Sequence, residues 1–294
     1  MSQDRPTFSC EFFPPKSLEA SFKLWDTMRV LAPLGPKFVS VTYGAGGTTR
    51  DLTHEAVETI QSGWGVPVAA HLTCVGATRA ETLAVADRYR AAGVTDIVAL
   101  RGDPPKGADG FTAHDDGFAS SEELTRALAE TGDFNIHVGA YPDPHPDARG
   151  AGADVDWLKR KVDAGAASAI TQFFFEAETF FRFRDACVAA GIDVPIIPGI
   201  LPIQSWSGVQ GFATRCGLAV PNGLAKDFDR AGRDGRAQLY ATAHCTELCD
   251  RLITGGVEHL HFYTLNRPEM TRDVIHALGL APELALALAL ENVA

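Results

Sequence analysis

The segment Glu11-Phe12-Phe13-Pro14-Pro15 sets a carboxylate at the end of an apolar run, just before a double proline that stops a strand. With Phe8, Phe12 and Phe13 as neighbours, an apolar setting is expected to raise the carboxyl pKa and keep the proton on near neutrality, as a general acid requires. The alternative is a structural carboxylate paired with an arginine such as Arg101. His71, Asp103 and His145 are the other acid or base candidates at comparable positions. Asp103, two residues from Arg101, suits either an ion pair or an acceptor for the polar edge of a cofactor. Gln172 precedes three phenylalanines, where an unpartnered amide is costly. It therefore serves either a core network or a hydrogen bond to the amide-like edge of a ligand ring. Arg160 and Lys161 can hold an anion or belong to a solvated helix face.

Groups so far apart in sequence meet only if a scaffold gathers them, and the hydrophobic pattern supplies one. Eight short apolar runs, Phe8–Phe13, Phe38–Tyr43, Val68–Cys74, Asp96–Arg101, Ile136–Tyr141, Ala169–Phe174, Pro195–Leu201 and His259–Leu265, alternate with helix-like stretches. That alternation predicts an α/β fold, a (β/α)8 TIM barrel whose active site lies at the C-terminal strand ends. Glu11, Thr42, Tyr43, His71, Arg101, Asp103, Tyr141, Gln172 and Arg267 are then expected at one mouth. Helices are expected from a Ser17 cap toward Leu31, over Arg50–Gln61 and over Asp154–Ala164. Between strands 7 and 8 the pattern predicts two or more helical pieces around Ser205–Cys216 and Ala237–Thr254, separated by a polar stretch with Asp227, Asp229, Arg230, Arg233 and Asp234, and the whole insertion reads as an elaborated loop rather than a domain. The irregular piece from Lys106 to Ser120 has the length of a lid or binding loop. Leu284–Leu290 reads as a final helix packed on the barrel or on another subunit.

With 294 residues and 46% hydrophobic content the chain can bury a sizeable core, and its length suits a single barrel domain over residues 1–294. A formal charge of −11 disfavours nucleic acid as a partner. The start is polar, and no stretch approaches the roughly 18 apolar residues of a membrane span. A soluble, cytoplasmic protein is expected. Six scattered cysteines in a chain this large are expected to be reduced thiols. His244, Cys245 and Cys249 fall within one helical pattern and lack a second ligand pair, so no metal site is expected.

A series of motifs carries a resemblance. Phe8-Ser9-Cys10-Glu11-Phe12-Phe13-Pro14-Pro15-Lys16, Phe38-Val39-Ser40-Val41-Thr42-Tyr43-Gly44-Ala45, His71-Leu72-Thr73-Cys74, Ile97-Val98-Ala99-Leu100-Arg101-Gly102-Asp103, Ala140-Tyr141-Pro142, Lys159-Arg160-Lys161-Val162-Asp163-Ala164-Gly165-Ala166, Ile170-Thr171-Gln172-Phe173-Phe174-Phe175, Ile197-Pro198-Gly199-Ile200-Leu201-Pro202 and Phe262-Tyr263-Thr264-Leu265-Asn266-Arg267 occur in order from Phe8 to about Leu280. In them the chain resembles the bacterial methylenetetrahydrofolate reductases. The resemblance implies a barrel that holds FAD, is reduced by NADH or NADPH, and is reoxidised by 5,10-methylenetetrahydrofolate to give 5-methyltetrahydrofolate in ping-pong fashion. It further implies Glu11 as general acid and Asp103 as the carboxylate that tunes the flavin and favours the cationic folate intermediate. Thr42, Tyr43, Ala45, His71, Arg101, Gly102, Asp103, Tyr141, His145, Ala148, Asp154, Arg160 and Lys161 match its flavin-binding positions, the basic pair serving the phosphates. Gln172, Phe212 and Arg267 match its substrate-binding positions.

Trp157, Gly208 and the Ser120-Ser121 pair depart from the family pattern, which bears on flavin affinity and folate-tail contacts. The chain ends after the barrel, so no C-terminal regulatory domain and no inhibition by S-adenosylmethionine are expected. A homo-oligomer is expected from the exposed apolar helices. Two other readings remain: a folate-dependent methyltransferase barrel needing no flavin, and a non-catalytic flavin- or folate-binding accessory protein. The sequence does not choose between NADH and NADPH.

Overall fold

Strand alternation sorts the first run into two faces, because successive side chains of a strand point to opposite sides. In β1 (Thr7–Phe12), Phe8, Cys10 and Phe12 join the large core together with Leu24, Met28 and Leu31 of α1 (Leu18–Leu31), while Ser9 and Glu11 turn toward histidines on the other side. The buried positions Leu24, Thr27, Met28 and Leu31 recur at helical spacing, which gives α1 one stripe to lay on the sheet. Each large apolar side chain so buried contributes about 1.5–3 kcal/mol. Ser17 caps α1 as expected, its hydroxyl accepting from the Ala20 amide at 3.1 Å.

The structure, a computed structural model, describes residues 5–43, 49–103, 107 and 110–282. After β1 come β2 (Val39–Val41), β3 (Val68–Thr73), β4 (Asp96–Leu100), β5 (Asn135–Ala140), β6 (Ser168–Thr171), β7 (Ile196–Ile197), β8 (Gly199–Ile200) and β9 (His259–Tyr263). Every ladder is parallel, in the order β7-β6-β5-β4-β3-β2-β1-β9-β8. Among the described residues the strands number nine where eight runs were expected, because Pro198 divides the run Pro195–Leu201. A proline has no N–H for a ladder, and here it marks the turn between two partners. Ile196 and Ile197 pair with β6, Gly199 and Ile200 with β9, so this one segment closes the barrel. Gly199 is required at that seam: a Cβ there would lie 2.1 Å from the Thr171 carbonyl oxygen and 2.6 Å from the Tyr263 ring.

Around the barrel run α2 (Arg50–Gly63), α3 (Arg79–Ala91), α4 (Ser121–Thr131), α5 (Ala153–Asp163), α6 (Ala177–Ala189), α7 (Trp206–Arg215), α8 (Asn222–Arg233), α9 (Ala237–Thr254) and α10 (Pro268–Ala277), with one 3-10 turn at Ala32–Leu34. The insertion between strands 7 and 8 of the expected barrel holds a third helical piece in its polar stretch. This piece is α8, whose Leu224 and Phe228 are buried, and Trp206 stacks on Phe228 at 4.3 Å. The charged residues of this stretch sit beside only two buried apolar anchors, too few to show as a periodic pattern. The Leu284–Leu290 segment lies outside the described residues. Among the described residues no helix is long and apolar enough to cross a membrane.

Two cores result. The larger fills the space between sheet and helices. Phe38, Ala69, Val98, Ile170 and Ile197, with Leu100 and Tyr263 against them, form a small second one. Along β9 and β1 the residues that turn away from the large core are polar: Ser9, Glu11, His259 and His261.

Candidate active site

The C-terminal strand ends open into two adjoining cavities. The larger, of about 780 Å³, is lined by Glu11, Thr42, Tyr43, His71, Asp103, Tyr141, Gln172 and Phe212 among others. The smaller, of about 420 Å³, is lined by Tyr43, Arg101, Gly102, Asp103, Tyr141, His145, Ala148, Asp154 and Lys161. Tyr43, Leu100, Asp103, Gly139 and Tyr141 line both. Two expected residues are elsewhere. Arg160 points to Glu122, with its guanidinium 4.5 Å over the Trp157 ring, and Arg267 is an exposed residue at the N-cap of α10. Ala45 lies outside the described residues.

Glu11 is in different surroundings from those expected. Phe8 and Phe12 belong to the opposite face of β1 and Phe13 is 43% exposed, so no apolar cage encloses the carboxylate. Its alternative partner is absent as well, since Arg101 pairs with Asp147 at 3.1 Å. Instead Glu11 Oε2 lies 3.3 Å from His71 Nε2 and 3.8 Å from His261 Nε2. Burial pushes the Glu11 pKa up, but the imidazoles of His261 and His71 beside the carboxylate outweigh it and bring the pKa down to about 2. The carboxyl is therefore ionised in the ligand-free site, and any proton it donates must come to it there.

At the smaller cavity, α5 presents Lys161 inward and Arg160 outward, because consecutive helical residues are about 100° apart. Lys161 is buried at 3% exposure, and its Nζ donates to the Gly139 carbonyl. Burial pulls its pKa down to about 8 although the Asp154 carboxylate opposes this. The Asp154 carboxylate accepts from the His145 amide at 3.3 Å, and the His145 ring stands edge-on to Tyr141 at 4.6 Å. The Thr73 hydroxyl, also on this wall, is buried with no hydrogen-bond partner among the described residues. A buried cation, an unpaired hydroxyl and the Arg101 and Arg149 side chains together suit an anionic, hydrogen-bonding ligand.

Asp103 is exposed where the two cavities meet, reached through Gly102 at φ +86°. A Cβ on Gly102 would lie 2.7 Å from Val75 Cγ1, so both conformation and space demand glycine. Gln172 Oε1 accepts from the Phe173 amide at 3.0 Å, and Phe212 stacks on Phe173 at 5.4 Å. One wall is thus an amide beside a flat ring. Of the family departures, Trp157 and Ser121 line the smaller cavity, Ser120 caps α4 by accepting from the Glu123 amide, and the Gly208 amide donates to Ser205 Oγ within the first turn of α7.

Several cavity residues had not been singled out from the sequence. Lys16, Lys23, Tyr263, Leu265 and Asn266 line the larger cavity. Leu265 and Asn266 have φ of 52° and 53°, a left-handed conformation uncommon for leucine. The Asn266 amide holds them by bonding both the N–H and the C=O of Phe13, at 2.9 and 3.0 Å, which ties the exit of β9 to that of β1. The inward histidine His261 could have been found by applying strand alternation to His259-Leu260-His261-Phe262-Tyr263, where the polar positions share a face.

Comparison with known proteins shows the family. The family model of methylenetetrahydrofolate reductase matches residues 1–279. The chain is 44% identical over 284 residues to the 5,10-methylenetetrahydrofolate reductase of Pectobacterium carotovorum subsp. carotovorum, covering 96% of this chain and 93% of that one. It is 44% identical over 283 residues to that of Escherichia coli (strain K12), covering 96% and 94%. The Arabidopsis thaliana protein named methylenetetrahydrofolate reductase (NADH) 1 is 35% identical, and the match covers 98% of this chain but 51% of the plant protein. Among solved structures, a Clostridium thermocellum protein described as binding two copies of 5-methyl-5,6,7,8-tetrahydrofolic acid shares the fold, with a TM-score of 0.63 at 15% identity over 93% of each chain. The match spans the strands, both cavities and their lining residues, and on that basis this chain belongs to the methylenetetrahydrofolate reductase family.

Proposed function

We propose that the protein reduces 5,10-methylenetetrahydrofolate to 5-methyltetrahydrofolate with electrons from NADH or NADPH, that FAD lies along the two cavities, and that folate and nicotinamide take turns in the larger one. The observation that carries this reading is the placing of Glu11, Asp103, Gln172 and Phe212 on one cavity that adjoins a second with a buried cation. Bound FAD would supply hydride-transfer chemistry between the nicotinamide and the one-carbon unit of the folate. The smaller cavity fits its phosphates through Lys161 and Arg101, and the unpaired Thr73 hydroxyl has an acceptor or donor to meet there.

The remaining work falls to side chains of this chain. Gln172 and Phe212 hold a flat heterocycle by one amide and one face. Glu11 gives a proton to the folate nitrogen that leaves the methylene bridge, and His71 Nε2, 3.3 Å away, is placed to return it. A substrate that displaces water from above Glu11 adds to burial, the contribution that raises its pKa, and so favours the protonated form when it is needed. Asp103 supplies negative charge near the cationic folate that ring opening produces.

The test separates the half-reactions. Glu11→Gln keeps the shape but has no transferable proton, so oxidation of the reduced flavin by folate should slow by about 10²–10⁴-fold while flavin reduction by NAD(P)H continues. Equal loss in both would remove Glu11 from the role of acid.

A further inference from the structure

Below Glu11 a row of side chains descends along the seam of β9 and β1. Thr7 Oγ1 is 2.6 Å from His259 Nδ1, His259 Nε2 is 2.9 Å from Ser9 Oγ, and Ser9 Oγ is 2.7 Å from His261 Nδ1. His261 Nε2, buried and without a hydrogen-bond partner among the described residues, faces Glu11 Oε2 at 3.8 Å. The parallel register builds the row by setting Thr7 beside His259 and Ser9 beside His261. Phe38 stacks on both imidazoles, at 5.6 and 5.9 Å, and holds their planes.

Counting protons leaves two arrangements. Each hydroxyl has one proton to give, and a neutral imidazole has one N–H and one acceptor. Burial depresses the pKa of both rings, His259 to about 3, which keeps them neutral. In the upward arrangement Thr7 donates to His259 Nδ1, His259 Nε2–H to Ser9, and Ser9 to His261 Nδ1, which leaves Nε2–H aimed at an ionised Glu11. In the downward one a protonated Glu11 donates to His261 Nε2, His261 Nδ1–H to Ser9, Ser9 to His259 Nε2, and His259 Nδ1–H to Thr7. The Thr7 hydroxyl then turns to the Glu258 carbonyl, 3.3 Å away. Each arrangement gives every group from Thr7 to His261 Nδ1 a partner, and each presents to the carboxyl the form of His261 Nε2 that suits one of its protonation states.

We propose that Ser9, backed by His259 and Thr7, is a positioning residue that sets the tautomer of His261 and, through it, the acidity of Glu11. The importance of this for turnover rests on the reading of Glu11 as the acid, but the tautomer itself does not. The other groups bearing on this pair are His71 on β3 and Tyr263 on β9 beside Glu11, with His137 and Lys37 acting on the two imidazoles through space.

The test uses the full-length protein labelled with 15N-histidine and read by NMR at neutral pH, in the wild type and in Ser9→Ala and Ser9→Thr. The wild type and Ser9→Thr, which keeps the hydroxyl, are expected to show His261 as the Nε2–H tautomer, and Ser9→Ala a mixture. If Ser9→Ala does not fold, Ser9→Cys, close in volume and a weaker hydrogen-bond former, answers in its place. The Nδ1–H tautomer in the wild type, or an unchanged tautomer in the variant, overturns the proposal. Alongside, the pH profile of reduced-flavin oxidation by folate is expected to move its falling limb up by about one pH unit in Ser9→Ala, because the Nε2–H dipole that faces the carboxylate at 3.8 Å is then lost from part of the molecules. The profile of flavin reduction by nicotinamide should stay in place. A changed tautomer with an unmoved limb would uphold the positioning role and reject Glu11 as the acid, so the two failures are distinct.

Discussion

Replacing Lys161 by methionine should stabilise the flavin-free protein while weakening its hold on FAD. The side chain is 3% exposed, and burial lowers its pKa from 10.5 to about 8. At about 1.4 kcal/mol per pH unit, keeping that buried ammonium charged at neutral pH costs about 3 kcal/mol. Methionine fills much the same volume without the charge, but it leaves the Gly139 carbonyl without the Nζ donor, a loss of about 1 kcal/mol. The net expectation is a gain of about 2 kcal/mol near pH 7. The pH dependence gives a sharper reading. Because the folded pKa lies below the unfolded one, the unfolded chain binds the extra proton between about 8 and 10.5, and the wild type gains stability as pH rises through that window. The variant lacks this slope, so its advantage should fade from pH 8 upward at about 1.4 kcal/mol per pH unit and reverse at about pH 9.5. Urea unfolding of both flavin-free proteins across this range measures it. Parallel curves, or a variant less stable at pH 7, would refute the idea that Lys161 is a strained cation held for an anionic ligand.

Arg160 differs from its neighbour: its side chain is 59% exposed and pairs with Glu122. Replacing Arg160 and Lys161 together should therefore weaken FAD retention, measured by flavin fluorescence on dilution, with most of the loss already present in Lys161→Met. Phe212→Ala removes a ring stacked at 5.4 Å on Phe173 and should raise KM for folate and nicotinamide alike by roughly tenfold; a rise for only one would break the shared-site reading. Gly199→Ala forces a Cβ to 2.1 Å from the Thr171 carbonyl oxygen and should cost about 3 kcal/mol or more, seen as a lower Tm with or without flavin. In acid, His259 holds a folded pKa of about 3 against an ordinary 6.5, so its contribution to stability, complete above 6.5, is lost as pH falls toward 3. His259→Leu should flatten that part of the stability curve.

The barrel was legible because strand ends repeat one physical signal, an apolar run cut off by glycine, proline or a polar residue. The division at Pro198 could have been expected from the missing N–H, but that the same segment pairs on both sides is a consequence of closure and has no local signature. Helix α8 was missed because only Leu224 and Phe228 anchor it. The site was legible as a set of residue types at strand ends, whereas the state of Glu11 was not. Sequence neighbours suggested an apolar cage, but adjacent residues of a strand face opposite ways, and the groups that decide its charge come from β3 and β9, some 60 and 250 residues along the chain. The adjacent Arg160 and Lys161 were likewise parted by helical geometry.

The central claim is tested most directly by the visible spectrum of FAD-reconstituted protein, bleached without oxygen by NADH or NADPH and then mixed with 5,10-methylenetetrahydrofolate. The account predicts return of the oxidised flavin spectrum with an equal amount of 5-methyltetrahydrofolate. A flavin that stays bleached would assign its electrons to another acceptor, and a protein that takes up no flavin at all would contradict the account and favour a flavin-independent folate barrel.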